Sequence, residues 1–91
     1  MKLKDKVAII SGGGTGIGAA TAALFRKEGA QVVIIGRRRE PLDEVAQATG
    51  SLAFVADAGV TEEARAAVAF AKEKFGGVDI LVPNAGVAAR G

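Results

Sequence analysis

A glycine-rich turn between an apolar run and an alanine-rich segment is the stretch of this chain best suited to ligand chemistry. Residues 7–10 are apolar, and Ser11 leads into glycines at Gly12, Gly16 and Gly18. Gly12 can turn the chain because a positive φ costs glycine little, and Gly16 has no Cβ to keep a pyrophosphate from the backbone. Gly18 allows close packing of a helix, whose first N–H groups and dipole favour an anion. The pattern therefore predicts a strand, a phosphate-binding turn and a helix.

Two other interpretations of the glycines have to be weighed. Closely spaced glycines can simply form a turn, and only the strand before them and the helix after them favour a phosphate site. A P-loop of the Walker type requires Lys and then Ser or Thr after its last glycine. Ala19 and Ala20 occupy those positions, so this sequence does not fit a Walker loop.

Length and composition limit the functional classes. The chain has 91 residues, 49% of them hydrophobic, which predicts a single domain spanning 1–91 with a real core. A formal net charge of +2 gives no reason to expect a nucleic-acid or membrane partner. Cys and His are absent, and no metal site is predicted. The first residues lack the apolar core of a signal peptide, so we expect a cytoplasmic setting.

Apolar periodicity and glycine stops define alternating strands and helices. Strands are predicted at 6–11, 31–36, 51–56 and 78–82, and helices at 16–28, 40–49 and 61–75. This order is typical of a Rossmann-like, doubly wound parallel α/β sheet, here a partial fold of four strands in the order 3-2-1-4 with three helices. Ligands bind such sheets beyond the carboxyl ends of the strands.

In two of the helices, we predict which apolar residues form a stripe facing the sheet. We expect the sheet to be contacted by Ile17, Ala20 and Leu24 of the first helix and by Ala64, Val68, Ala71 and Phe75 of the third. Thr61 is expected to cap the third helix, with acidic residues in its first turn complementing the dipole.

A basic segment follows the second strand, where an acidic residue would bind the ribose 2′-OH of NAD. Arg37, Arg38 and Arg39 stand there instead, and arginine can bind a 2′-phosphate through a bidentate fork. A solvated basic run is the simpler interpretation, but positive charge opposes the dipole at a helix start. We therefore expect NADP to be the cofactor, with NAD binding more weakly.

A carboxylate follows the third strand. Asp57 could accept a hydrogen bond from an adenine amino group, but two residues before Gly59 it is more simply a turn-forming residue. From the residues alone, the turn is the better interpretation.

The glycine turn, S-G-G-G-T-G-I-G from Ser11 to Gly18, resembles the T-G-x-x-x-G-I-G fingerprint of the short-chain dehydrogenase/reductase family. The segment D-I-L-V-P-N-A-G from Asp79 to Gly86 resembles the family's D-x-L-V-N-N-A-G, with Pro83 in place of the first asparagine. The match covers all 91 residues but only the N-terminal portion of a family member.

The resemblance implies a cofactor site. Its expected members are Ser11, Gly12, Gly14, Thr15, Gly16, Ile17, Gly18, Arg37, Asp57, Ala58, Asn84, Ala85 and Gly86. In the family a basic residue at Arg37 accompanies NADP, and an Asp at position 57 often faces the adenine. Asn84 matches the asparagine whose backbone could meet the cofactor ribose.

The family's catalytic Tyr-x-x-x-Lys pair has no counterpart here, since the sequence contains no Tyr. No catalytic residue is predicted, and we expect the chain alone to be inactive although the family that it resembles consists of NAD(P)-dependent oxidoreductases. We expect it to be the NADP(H)-binding portion of such an enzyme. The alternative is a non-enzymatic, self-associating scaffold that binds no nucleotide. The apolar fourth strand would be an open edge, which predicts a homo-oligomer formed through that edge or a bare sheet face.

Overall fold

The computed structural model describes residues 2–12, 14 and 16–83. Strands and helices alternate in the order β1 (Val7–Ser11), α1 (Gly16–Lys27), β2 (Gln31–Gly36), α2 (Arg39–Thr49), β3 (Leu52–Val55), α3 (Thr61–Phe75) and β4 (Ile80–Pro83). The predicted bounds of β2 and α3 are confirmed, and the other elements differ by one or two residues at one end or, for β3 and β4, at both ends.

The strands form one parallel sheet in the order β3-β2-β1-β4, which confirms the predicted topology for the described part of the chain. In register, Ile10 of β1 lies between Ile34 of β2 and Val82 of β4. Because β1 has its sequence neighbour β2 on one side and β4 on the other, the chain changes direction across the sheet at β1.

The two faces of the sheet are covered by different helices. Successive side chains of a strand point to opposite faces, so Ile10 and Ile34 pack with α1 and α2, whereas Ile9 and Val33 pack with α3. Both inner strands are buried over nearly their whole length, as expected of a parallel sheet between helices.

The predicted inward stripe of α1 is wrong. Ile17 is 69% exposed, Leu24 is 56% exposed and Ala20 is also exposed, whereas Gly18 and Ala22 are buried and Phe25 packs on the core. The inner face thus combines two small buried residues with the larger, partly buried Phe25. Since α1 has apolar residues on both sides, periodicity alone selected the wrong one.

The α3 prediction is partly right. Ala71 is buried and Val68 and Phe75 pack on the sheet, but the second fully buried position is Ala67, and Ala64 is only half-buried. Phe70 also packs on this face, with its ring 4.9 Å from that of Phe54 in β3.

Thr61 does not cap α3, so that prediction is wrong. The N-cap is Val60, with extended dihedrals and no side-chain hydrogen bond. The carboxylate of Glu63 instead reaches back and accepts a hydrogen bond of 2.7 Å from the Asp57 N–H. An acidic side chain in the first turn thereby stabilises the loop that enters the helix.

Candidate functional site

The predicted site residues that the structure describes lie at or beyond the carboxyl ends of the parallel strands. Ser11 ends β1 and Gly12 follows it, Arg37 follows β2, and Asp57 follows β3. Thr15, Asn84, Ala85 and Gly86 lie outside the described residues. Because β1 neighbours β2 in the sheet, the glycine turn and the arginine segment are adjacent, whereas Asp57 is one strand further out.

Gly12, at the start of the glycine turn, has the backbone conformation that its position predicts. Gly12 has φ of 67°, the left-handed region in which glycine avoids the steric cost of a side chain. Apart from its chain neighbours and its own helix, no described residue has an atom within 4 Å of a Cβ placed on Gly16, so the described part of the chain leaves space there. Gly18 is buried. Gly12 therefore provides a sharp bend after β1, and Gly16 adds no side chain at the start of α1.

The Ser11 hydroxyl is committed to the sheet. Ser11 is 5% exposed, and its Oγ donates a hydrogen bond of 3.2 Å to the carbonyl oxygen of Val82. This bond joins β1 to β4 at the end of the sheet where ligands are expected. At the other end, the Val7 N–H donates to Asp79 Oδ2 (2.8 Å) and the Asp79 N–H donates to the Val7 carbonyl (2.8 Å).

Arg37 and Arg38 are exposed and form no hydrogen bond or ion pair within the described part of the chain. Arg38 is the N-cap of α2 and its side chain makes no capping bond. The third arginine, Arg39, lies 3.6 Å from Asp43 one turn along the helix, and both side chains are largely solvated. Two cations beside the glycine turn are thus available to an anionic group.

Asp57 adopts the turn that the residues alone favoured. Its Oδ1 accepts a hydrogen bond of 2.8 Å from the Gly59 N–H. Its second carboxylate oxygen has no partner among the described residues, so the turn leaves one acceptor free. Next to it, a surface depression of about 360 Å³ is lined by Ala58, Gly59, Thr61, Ala64, Arg65 and Val68.

One contact at the site was not predicted. Gly14 approaches the first turn of α2 so closely that a Cβ placed on it would lie 2.9 Å from Pro41 Cβ. Pro41 lies in the first turn of α2, and nothing in the local sequence indicates which loop packs against it.

Over the described ranges, no helix is long and apolar enough to cross a membrane. The same residues contain no cluster of three or more acidic, His or Cys side chains able to hold a metal ion.

Comparison with known proteins shows which family this chain belongs to. The family model described as short chain dehydrogenase matches residues 6–91. An uncharacterized oxidoreductase of Staphylococcus aureus strain USA300 is 44% identical over 87 residues, a match covering 92% of this chain and 38% of that protein. The chain thus spans little more than a third of that relative's length.

Solved structures give the same result. The apo form of glucose dehydrogenase from Caenorhabditis elegans superimposes with a TM-score of 0.83 at 40% identity, covering 89% of this chain and 38% of that one. A 3-ketoacyl-(acyl-carrier-protein) reductase from Brucella melitensis complexed with NADH gives a TM-score of 0.82 at 44% identity, covering 87% and 34% of the two chains.

Proposed function

Because this chain belongs to the short-chain dehydrogenase family, we propose that it is the NADP(H)-binding portion of an oxidoreductase and that it binds NADP more tightly than NAD. The observation that carries the cofactor preference is the exposed, unpaired Arg37 at the end of β2, where no acidic side chain stands. A carboxylate there would repel a 2′-phosphate, whereas a guanidinium binds it through parallel N–H···O bonds.

The described residues fit such a cofactor. The bend at Gly12 and the open space before Gly16 leave room for the pyrophosphate at the positive end of the α1 dipole. Arg37 and Arg38 would meet the 2′-phosphate, one strand away from the glycine turn. When bound, the nicotinamide of the cofactor donates or accepts the hydride.

The finer contacts are proposed on the family resemblance. Asp57 would accept a hydrogen bond from the adenine amino group through the oxygen that its turn leaves free, with the Ala58 backbone alongside. Thr15 would join the phosphate turn, and Asn84, Ala85 and Gly86 would line the ribose side of the crevice. Ser11 would contribute its backbone, since its hydroxyl already bonds to β4.

We propose that these 91 residues bind the cofactor but do not catalyse its reaction. Reduction of a carbonyl needs a proton donor poised near neutral pH, and the sequence has no Tyr, His or Cys. The parent reaction is hydride transfer between the nicotinamide and a carbonyl or alcohol. The purified chain is expected to show no turnover, and its setting is proposed to be cytoplasmic.

Self-association is the second proposal, and it stands with or without a bound nucleotide. At the β4 edge of the described sheet, Leu81 is 64% exposed. An edge strand with an exposed leucine and no lysine favours pairing with another chain. If the glycine turn proves to bind no nucleotide, a self-associating scaffold is the function that this edge supports.

Calorimetric titration with NADP and NAD tests the cofactor proposal. The wild-type chain is expected to bind NADP more tightly, and Arg37→Asp to lose about 1.5–3 kcal/mol of NADP affinity, the range of a charge-assisted hydrogen bond, with little change for NAD. Lys72→Asp is the matched control, because it makes the same charge change in the last turn of α3. Equal affinities for the two cofactors, or equal losses in the two variants, would contradict the proposal.

A further inference from the structure

The glycine turn rests directly on the first turn of α2. A Cβ on Gly14 would lie 2.9 Å from Pro41 Cβ and 3.5 Å from both the Pro41 carbonyl carbon and the Leu42 nitrogen. Non-bonded carbons normally approach to about 3.5–4.0 Å, so only glycine fits without a shift of one element. The surface that Gly14 meets is rigid, since it consists of a proline ring and backbone.

The first turn of α2 is itself held in place. Leu42, which follows Pro41, is fully buried in the core between α1, α2 and the sheet. Its side chain also lies under the end of β2, because a Cβ on Gly36 would be 3.4 Å from Leu42 Cδ2. The first turn of α2 is thus packed between the glycine turn on one side and the end of β2 on the other.

The arginine segment connects the end of β2 to the first turn of α2. Arg37 follows Gly36, which packs on Leu42, and Arg39 begins the helix turn that carries Pro41. Any displacement of the Gly14–Pro41 contact therefore changes the separation between the glycine turn and Arg37. The Gly14–Pro41 contact is sufficient to link the position of the glycine turn to that of Arg37.

We propose that Pro41 is a positioning residue that fixes the glycine turn relative to Arg37 and thereby sets the preference for NADP over NAD. The proposal rests on the proposed function, in which NADP contacts both elements through its pyrophosphate and its 2′-phosphate. NAD has no 2′-phosphate, so its binding does not depend on the distance between the glycine turn and Arg37. A changed separation between the elements therefore weakens NADP binding more than NAD binding.

The test is a double-mutant cycle read out by the ratio of NADP to NAD affinity. Gly14→Ala places a methyl group against Pro41 and is expected to lower NADP affinity about tenfold and NAD affinity less than about threefold. Pro41→Gly removes the atom that the methyl group would meet. In that background, Gly14→Ala is expected to change the ratio by less than about twofold, because neighbouring substitutions that share a contact are not additive.

Two matched variants separate positioning from other effects. Gly77→Ala adds a methyl group in open space outside the site and is expected to leave both affinities unchanged. Gly16→Ala also adds a methyl group that none of the described residues outside its own helix would contact, but it would crowd the pyrophosphate that both cofactors share. It is therefore expected to weaken NADP and NAD by the same factor, leaving their ratio as in the wild type.

The outcomes distinguish a failure of the proposed function from a failure of the role proposed for Pro41. If the wild type binds neither cofactor, the proposed function fails and the preference assigned to Pro41 fails with it. If the wild type prefers NADP but Gly14→Ala keeps the wild-type ratio, the role of Pro41 alone is wrong. That role is also wrong if Gly14→Ala lowers the ratio equally in the wild-type background and in the Pro41→Gly background. Thermal melting of each variant identifies any loss of affinity that comes from unfolding.

Discussion

The Ser11 side chain shows how one residue of a ligand-binding turn can be committed to the fold. Its hydroxyl lies where the sheet meets the proposed cofactor crevice, yet it donates to the Val82 carbonyl of the neighbouring strand. The same strand pair is joined at its other end by Asp79. These two side chains hold β4 in register with β1, so the floor of the crevice depends on them.

We expect Ser11→Ala to lower the free energy of unfolding by about 0.5–1.5 kcal/mol, the net value of one buried hydrogen bond. Urea denaturation measures this loss. Thr21→Ala is the control, since its hydroxyl bonds within α1 to the Ile17 carbonyl at an exposed position. Alanine is the better helix former there, so that substitution should not destabilise the chain. Equal changes in the two variants would mean that the β1–β4 bond contributes nothing.

Residues whose roles follow from the local backbone were predictable, and those whose roles follow from tertiary contacts were not. The positive φ of Gly12 is required wherever a strand turns sharply into a helix, so sequence alone indicated it. The contact of Gly14 with Pro41 joins a loop to the first turn of a helix that is far away along the chain, and no sequence pattern encodes it. The turn at Asp57 was the local interpretation and is what the structure shows.

At the scale of the elements, α1 has its smallest side chains against the sheet. Ala22 is fully buried, and the larger Ile17 and Leu24 are exposed. Gly18 is also buried on the inner side, where Phe25 is the large side chain that packs on the core. Periodicity located the helix but could not choose between its two apolar sides.

A matched pair of substitutions tests this orientation. Ala22→Leu is expected to destabilise the chain by about 1–3 kcal/mol through overpacking, whereas Ala20→Leu, on the exposed side of the same helix, is expected to change stability by less than about 0.5 kcal/mol. Thermal or urea denaturation of both variants gives the comparison. The assigned face of α1 would be wrong if Ala20→Leu proved the more destabilising of the two.

For the whole molecule, the order of strands was predictable because right-handed crossovers and alternating elements leave few topologies. The same topology leaves β4 at one edge of the described sheet and β3 at the other. Their exposures differ, with Leu81 at 64% and Val55 at 37%. The more exposed apolar residue therefore lies on the edge proposed for self-association.

Sedimentation across a dilution series tests the role of that edge. We expect the wild type to associate at micromolar concentration and Leu81→Lys to shift it towards the monomer, because a lysine on an edge opposes pairing. Val55→Lys, on the opposite edge, should leave association unchanged. A stable, folded monomer whose sedimentation is unaffected by either substitution would rule out association through β4.

The central claim is that the glycine turn and the arginine segment together bind NADP, and residue-resolved NMR of the ¹⁵N-labelled chain tests it most directly. Titration with NADP is predicted to shift the amide signals of Gly12, Gly16 and Gly18 together with those of Arg37 and its neighbours. NAD is predicted to shift the glycine signals while leaving the arginine segment nearly unchanged. Unperturbed signals in both segments at high NADP, or shifts confined to the α3 depression around Thr61 and Val68, would contradict the account.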